Sequence, residues 1–196
     1  MRQNLNPMRI PIIVLFFLFQ TVLFAQKPCD YAVNITDSIG TLKETKSCLA
    51  YERVFGNSAE LVFLSLISDN GTPILNLQII QKNTEFITPK CVDKTSKIYF
   101  QLSNGKIYTL VNASENECDN LIYNTQEKLN NRLLNAHFLF IKDNFDDLKK
   151  YPIITMRIKL ASETKDYILP KELRGEKITG VFEPENFFID YFSCIE

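Results

Sequence analysis

The chain has 196 residues, of which 22 are lysine or arginine and 23 aspartate or glutamate, with one histidine, no tryptophan and six glycines. So even a balance of charge offers no footprint for nucleic acid or for an anionic membrane surface. None of the glycines stands in G-x-G-x-x-G or G-x-x-x-x-G-K spacing, and no G-x-S-x-G or S-x-x-K arrangement occurs, so phosphate-cradling loops and activated serines have no support.

Arg2 and Arg9 precede an apolar run from Ile10 to Phe24 interrupted only by Pro11, Gln20 and Thr21. A basic stretch followed by a short apolar one is the pattern of a secretory signal peptide, and Ala25 followed by polar residues predicts cleavage after residue 25. A membrane anchor needs about 20 uninterrupted apolar residues, so no membrane span is expected in the mature chain. Lipid attachment at Cys29 is disfavoured by Pro28, which stands where a small residue is needed. Residues 26–196 are then expected to form a single β-rich domain, 171 residues (196 − 25) with 20 basic and 23 acidic side chains. That length suffices for one core burying roughly 70% of the unfolded surface.

YAVNIT and KSCLAYERVF read as strands flanking the turn DSIG. An Asn-Gly pair between alternating apolar runs is the strongest short-range hairpin signal, because a type I′ turn needs positive φ at both central residues. The first such hairpin, Glu60 to Gln81, turns at Asn70-Gly71. Its pairs sum to 141, which sets Val62, Leu64 and Leu66 against Ile79, Leu77 and Leu75 on an apolar face. The second turns at Asn104-Gly105. A sum of 209 there sets Ile98, Phe100 and Leu102 against Val111, Thr109 and Ile107.

Beyond these, residues 132–141 alternate as a strand with Leu134, Ala136, Phe138 and Phe140 on one face. DNFDDLKKYP carries a capping acid, acids in the first turn, lysines in the last and a terminating proline, predicting a short helix near 143–150. IITMRIKL puts Ile154, Met156, Ile158 and Leu160 on one face, and SETKD returns it through a third hairpin. LPKELRG reads as one helical turn, and NFFIDYFSCIE, apolar on both faces, as an interior strand. Many strands with one short helix predict a mainly β fold, a two-layer antiparallel sandwich with a closed β-barrel as the alternative.

Five cysteines lie in the mature chain, and an oxidising compartment permits disulfides. Cys91 and Cys118 are each thirteen residues from the Asn104-Gly105 turn, so the 209 sum makes them partners across the open end of that hairpin. Cys29 pairs either with Cys48 across DSIG or with Cys194 near the other terminus. The terminal clamp is preferred, leaving Cys48 free and buried in its strand. No close cysteine pair with histidines at ligand spacing suggests a metal site, and no cofactor is implied.

His137, the sole histidine, could serve a hydrolase through a Cys-His dyad with the leftover thiol, and Glu185 with Asp190 is a candidate carboxylate pair for glycoside hydrolysis. Asp143, Asp146 and Asp147 lack the glycine and distal glutamate of a calcium loop. Asn34, Asn70 and Asn112 match the N-x-[ST] acceptor pattern, and Tyr99, Tyr108 and Tyr123 could form a contact surface, although edging the core is the preferred reading. With no catalytic constellation evident, the leading expectation is an exported, non-catalytic β-domain that binds a protein or cell-envelope component. A carrier of a small apolar ligand in a barrel cavity is the alternative, and a hydrolase comes third.

Overall fold

The computed structural model describes residues 27–196; the signal-peptide reading of residues 1–25 lies outside them. The described chain is mainly antiparallel β. Five strands run β1 (Tyr31–Thr36), β2 (Thr41–Thr45), β3 (Cys48–Phe55), β4 (Ser58–Asp69) and β5 (Thr72–Asn83), followed by β6 (Cys91–Val92), β7 (Lys97–Leu102), β8 (Ile107–Asn112), β9 (Glu117–Cys118) and β10 (Asn120–Asn124). The rest are β11 (Leu129–Phe140), β12 (Ile153–Lys159), β13 (Thr164–Ile168), β14 (Leu173–Arg174) and β15 (Val181–Phe182), with one helix, α1 (Phe187–Tyr191), between 3-10 turns.

One large sheet runs β1-β2-β4-β5-β11-β8-β7-β12-β13, with β3 added to β4 and β10 added to β11. The long strands β4 and β11 each change neighbour part-way: β4 leaves β3 for β2, and β11 leaves β10 for β8. The sheet bends over a large cluster of buried side chains drawn from β3, β4, β5, β7, β8, β11, β12 and β13, and a smaller one gathers around Leu49, Ala59 and Leu61. Across the fold Tyr51 of β3 meets Tyr167 of β13 with ring centroids 4.9 Å apart. No backbone ladder joins β3 and β13, so the architecture is sandwich-like rather than a closed barrel.

The first hairpin keeps its 141 register along its whole length, from Asp69↔Thr72 to Ala59↔Lys82. Asn70 and Gly71 both have positive φ, 50° and 83°. The second hairpin does not keep 209. Its pairs sum to 208, as in Phe100↔Tyr108, because Leu102 N–H bonds Lys106 O and the loop holds three residues ending in Gly105 at φ 82°. A one-residue slip exchanges the faces of a strand, so Tyr108 and Leu110 are buried while Ile107 is exposed.

Three further expectations are corrected. Residues 146–150 form consecutive turns with two α-type bonds, Lys149 N to Phe145 O and Tyr151 N to Asp147 O, rather than a regular helix. A bulge between Ile153 and Thr155 against β7 turns Ile153 inward and Ile154 outward. LPKELRG supplies β14, which pairs with β15 through Leu173↔Phe182, instead of a helical turn.

The largest departure is at the C-terminus, where the expected interior strand is helical. Pro184 starts it, and Phe187, Phe188, Phe192 and Ile195 point into the core. Phe188 meets Phe100 at 4.9 Å and Phe140 at 6.0 Å, both near-perpendicular contacts. The tail thus fills the end of the sandwich at which β11 finishes. Its own end is held by Cys194, at disulfide distance from Cys29 with Cα atoms 5.6 Å apart, and by Tyr31 Oη donating to Cys194 O at 2.9 Å.

Candidate functional site

At the opposite end of the sandwich the core gives way to polar side chains. Cross-strand register places Arg53 of β3, Glu60 of β4, Gln81 of β5, Arg132 of β11 and Leu121 of β10 in one row. By the alternation of strand side chains this row shares the inner face with the adjoining buried row Val62, Ile79 and Leu134. Above it lies a cleft of about 540 Å³ lined by Arg53, Phe55, Glu60, Gln81, Phe86 and Lys90, among others, and closed on one side by the turn Ser162–Glu163.

The wall formed by residues 86–90 is held in place from behind. Arg132 is buried and donates through Nε to Ile87 O at 2.7 Å and through Nη1 to Asp119 Oδ1 at 2.6 Å. Its guanidinium lies 5.7 Å from the centroid of Phe86. Asp119 also accepts the backbone N–H of Lys90 at 2.8 Å and returns its own N–H to Lys90 O at 2.9 Å. Next along the chain, Cys91 pairs with Cys118 at disulfide distance, Cα atoms 3.9 Å apart. This pairing restores the 209 register after the irregular segments that follow β6 and β8, so the two cysteines lie opposite each other, as the 209 sum predicts, although the hairpin below is shifted.

Two ion pairs clamp the halves of the sandwich across the cleft, Lys90 with Glu163 and Lys165 with Glu60. Tyr167 Oη adds a bond to Glu60 Oε1 at 3.2 Å, and burial, reinforced by the Glu60 charge, raises its phenol above the ordinary value. These pairings occupy every charged group of the cleft but one: Lys82 is bound to Glu127, while Arg53 makes no ion pair or side-chain hydrogen bond among the described residues. Gln81 Oε1 is buried with no hydrogen-bond partner. A buried acceptor without a donor costs about 1–3 kcal/mol, and Asn76 Oδ1 and Asn131 Oδ1 share that condition. Phe55 and Phe86, 80% and 75% exposed, present bare aromatic surface at the rim.

The residues singled out for catalysis do not converge. His137 lies on the outer face, in register with Asn76, and its side chain makes no hydrogen bond or ion pair among the described residues. Cys48 faces the inner core, paired with Leu64. A Cys-His dyad would therefore have to reach through the sheet. Burial, with the nearby Asp190 charge adding to it, pushes the Cys48 thiol up to about 12, which keeps it protonated and inert.

Asp190 is bound not to Glu185 but to Lys27, whose ammonium bridges it at 2.8 Å and Glu183 at 2.7 Å. Desolvation works to lower that lysine, yet the two carboxylates outweigh it and hold its pKa above the ordinary range. Asp147 accepts from Lys106 and Asn104, and Asn144 rather than Asp143 caps its turn by accepting the Asp146 N–H at 3.0 Å. Among the described residues no three histidine, cysteine or acidic side chains group to hold a metal ion, and no helix is long and apolar enough to cross a membrane. Tyr108 is buried with its hydroxyl on Asn144 O, while Tyr123 is exposed.

No protein-family model matches the chain, and no curated protein or solved structure is significantly similar to it. The cleft has no local signature in the sequence, because its floor is one row contributed by three strands, through Arg53, Glu60 and Gln81. The available signal was the polar interruption of each apolar face just beyond the core, at Glu60, Gln81 and Arg132.

Proposed function

We propose that the protein is an exported, non-catalytic β-domain that binds a protein or cell-envelope component in the cleft at the open end of the sandwich. The observation that carries this reading is the guanidinium of Arg53, unpaired among the described residues, in a cleft rimmed by the exposed rings of Phe55 and Phe86. Together they suit a segment with a carboxylate for Arg53 and an apolar side chain to lie between the rings. An extended peptide carries both. Export is supported by the signal-like N-terminus and by two cysteine pairs at disulfide distance.

A carrier of apolar ligands has less in its favour, since the interior where such a ligand would sit is occupied by Phe100, Phe138, Phe187, Phe188 and Phe192. Catalysis through His137 is disfavoured by its isolation from Cys48. The test is retention from an envelope extract on the immobilised protein, compared with Arg53→Ala and Phe86→Ser. The expected result is a component held by the wild type and lost from both variants. Retention that both substitutions leave unchanged, or turnover of a retained component, would overturn the reading.

A further inference from the structure

Strand β10, Asn120–Asn124, is bonded to β11 along one edge only, and its other edge carries no backbone ladder among the described residues. An open edge is a template for a further strand, and proteins ordinarily blunt it with charge or a bulge. The remaining ends of the sheet follow that rule. β1 is bulged between Tyr31 and Val33, β3 carries Glu52 and Arg53, and β13 carries Lys165 and Asp166. β10 has neither device. It reads NLIYN, and Leu121, Ile122 and Tyr123 are 51%, 55% and 57% exposed.

The order of those five residues identifies the occupant. Antiparallel pairing of β10 with β10 of a second copy, on a two-fold axis through Ile122, sets Ile122 against itself, Leu121 against Tyr123 and Asn120 against Asn124. Strand alternation then places both asparagine pairs and the isoleucine pair on one face and both Leu-Tyr pairs on the other. Apolar meets apolar and amide meets amide at every position, with no charge brought together. A shift of one residue in either direction sets an asparagine against an apolar side chain. An isologous interface demands this self-complementarity, because each residue must suit its partner from both sides.

We propose that the protein associates with a second copy of itself through β10, joining the two large sheets edge to edge about Ile122. A five-residue ladder lies at or below the small end of specific interfaces, so the dimer is weak and forms with rising concentration. The proposal is independent of what fills the cleft.

Sedimentation equilibrium on the full exported chain should show a monomer–dimer equilibrium in the micromolar range or above. Ile122→Lys should abolish it by setting two ammonium groups face to face, with circular dichroism checking that the fold is kept. Cysteine substitution locates the axis without depending on that variant. Residues directly opposite each other are about 4.5–5.5 Å apart at Cα, within disulfide reach, and native Cys48 is buried out of competition. Ile122→Cys should therefore form a covalent dimer under mild oxidation at least tenfold faster than Leu121→Cys, whose partner is Tyr123. A monomer at all concentrations, a dimer that survives Ile122→Lys, or equal cross-linking of the two cysteine variants would each overturn the proposal.

Discussion

Replacing Phe188 by alanine tests whether the C-terminal tail is a structural plug or a dispensable appendage. Phe188 is 1% exposed and touches four other rings, those of Phe100, Phe140, Phe187 and Phe192, at centroid distances from 4.9 to 6.1 Å. The neighbours come from β7, β11 and the tail itself, so the hole cannot close without moving two strands. Truncation of a buried phenylalanine costs about 3–5 kcal/mol, a large share of the roughly 5–15 kcal/mol that holds a domain together. With a urea slope of about 2 kcal/mol/M, the unfolding midpoint should fall by about 2 M. Equilibrium urea unfolding followed by circular dichroism measures this directly. Phe86→Ala, which removes an exposed ring, is the control and should cost about 1 kcal/mol or less. A loss below about 1 kcal/mol for Phe188→Ala would refute the reasoning, since no ring packed on four others can be removed so cheaply.

Asp119→Ala should cost about 3–5 kcal/mol by the same assay, because it leaves the Arg132 guanidinium buried beside Ile87 without its counter-charge; Asp119→Ala combined with Arg132→Met should recover part of that loss, and failure to do so would show that the pair is not coupled. Cys48, with its thiol pushed up to about 12 from an ordinary 9.0, should resist alkylation at neutral pH until the protein unfolds. Because the folded value lies above the unfolded one, the domain loses stability as pH rises from about 9 toward 12, where only the unfolded thiol ionises. Denaturation curves across that range should be flatter for Cys48→Ala, and an unchanged slope would argue against the shift.

What could be read from local sequence was whatever depends on a short period or a turn. The Asn70-Gly71 hairpin follows from two residues that tolerate positive φ and from alternation on either side, and its register runs for eleven pairs without a break. The second hairpin shows the limit of that logic. Asn-Gly in a two-residue loop and Asn-Gly closing a three-residue loop differ by one residue of register, and the sequence around Ser103 does not separate them. Packing does, since the 208 register buries Leu110 and Tyr108, the latter with its hydroxyl on Asn144 O, and leaves Ile107 in solvent. The tail also carries a local helical signal. Phe187, Phe188, Tyr191, Phe192 and Ile195 recur at one, four, five and eight residues, a helical spacing, and Glu183-Pro184 provides a start. Short apolar runs suit either period, and only the shape of the gap at the end of the sandwich chooses between them.

By itself, then, the sequence determined the class of fold, the first hairpin in full and the near-neutral surface, because each rests on residue chemistry or on neighbours a few positions apart. The cleft, the clamp of Glu60 by Lys165 and the seating of Arg132 between Ile87 and Asp119 were decided by tertiary structure alone. They join residues from separate strands, and their energies exist only once the sheet has folded over.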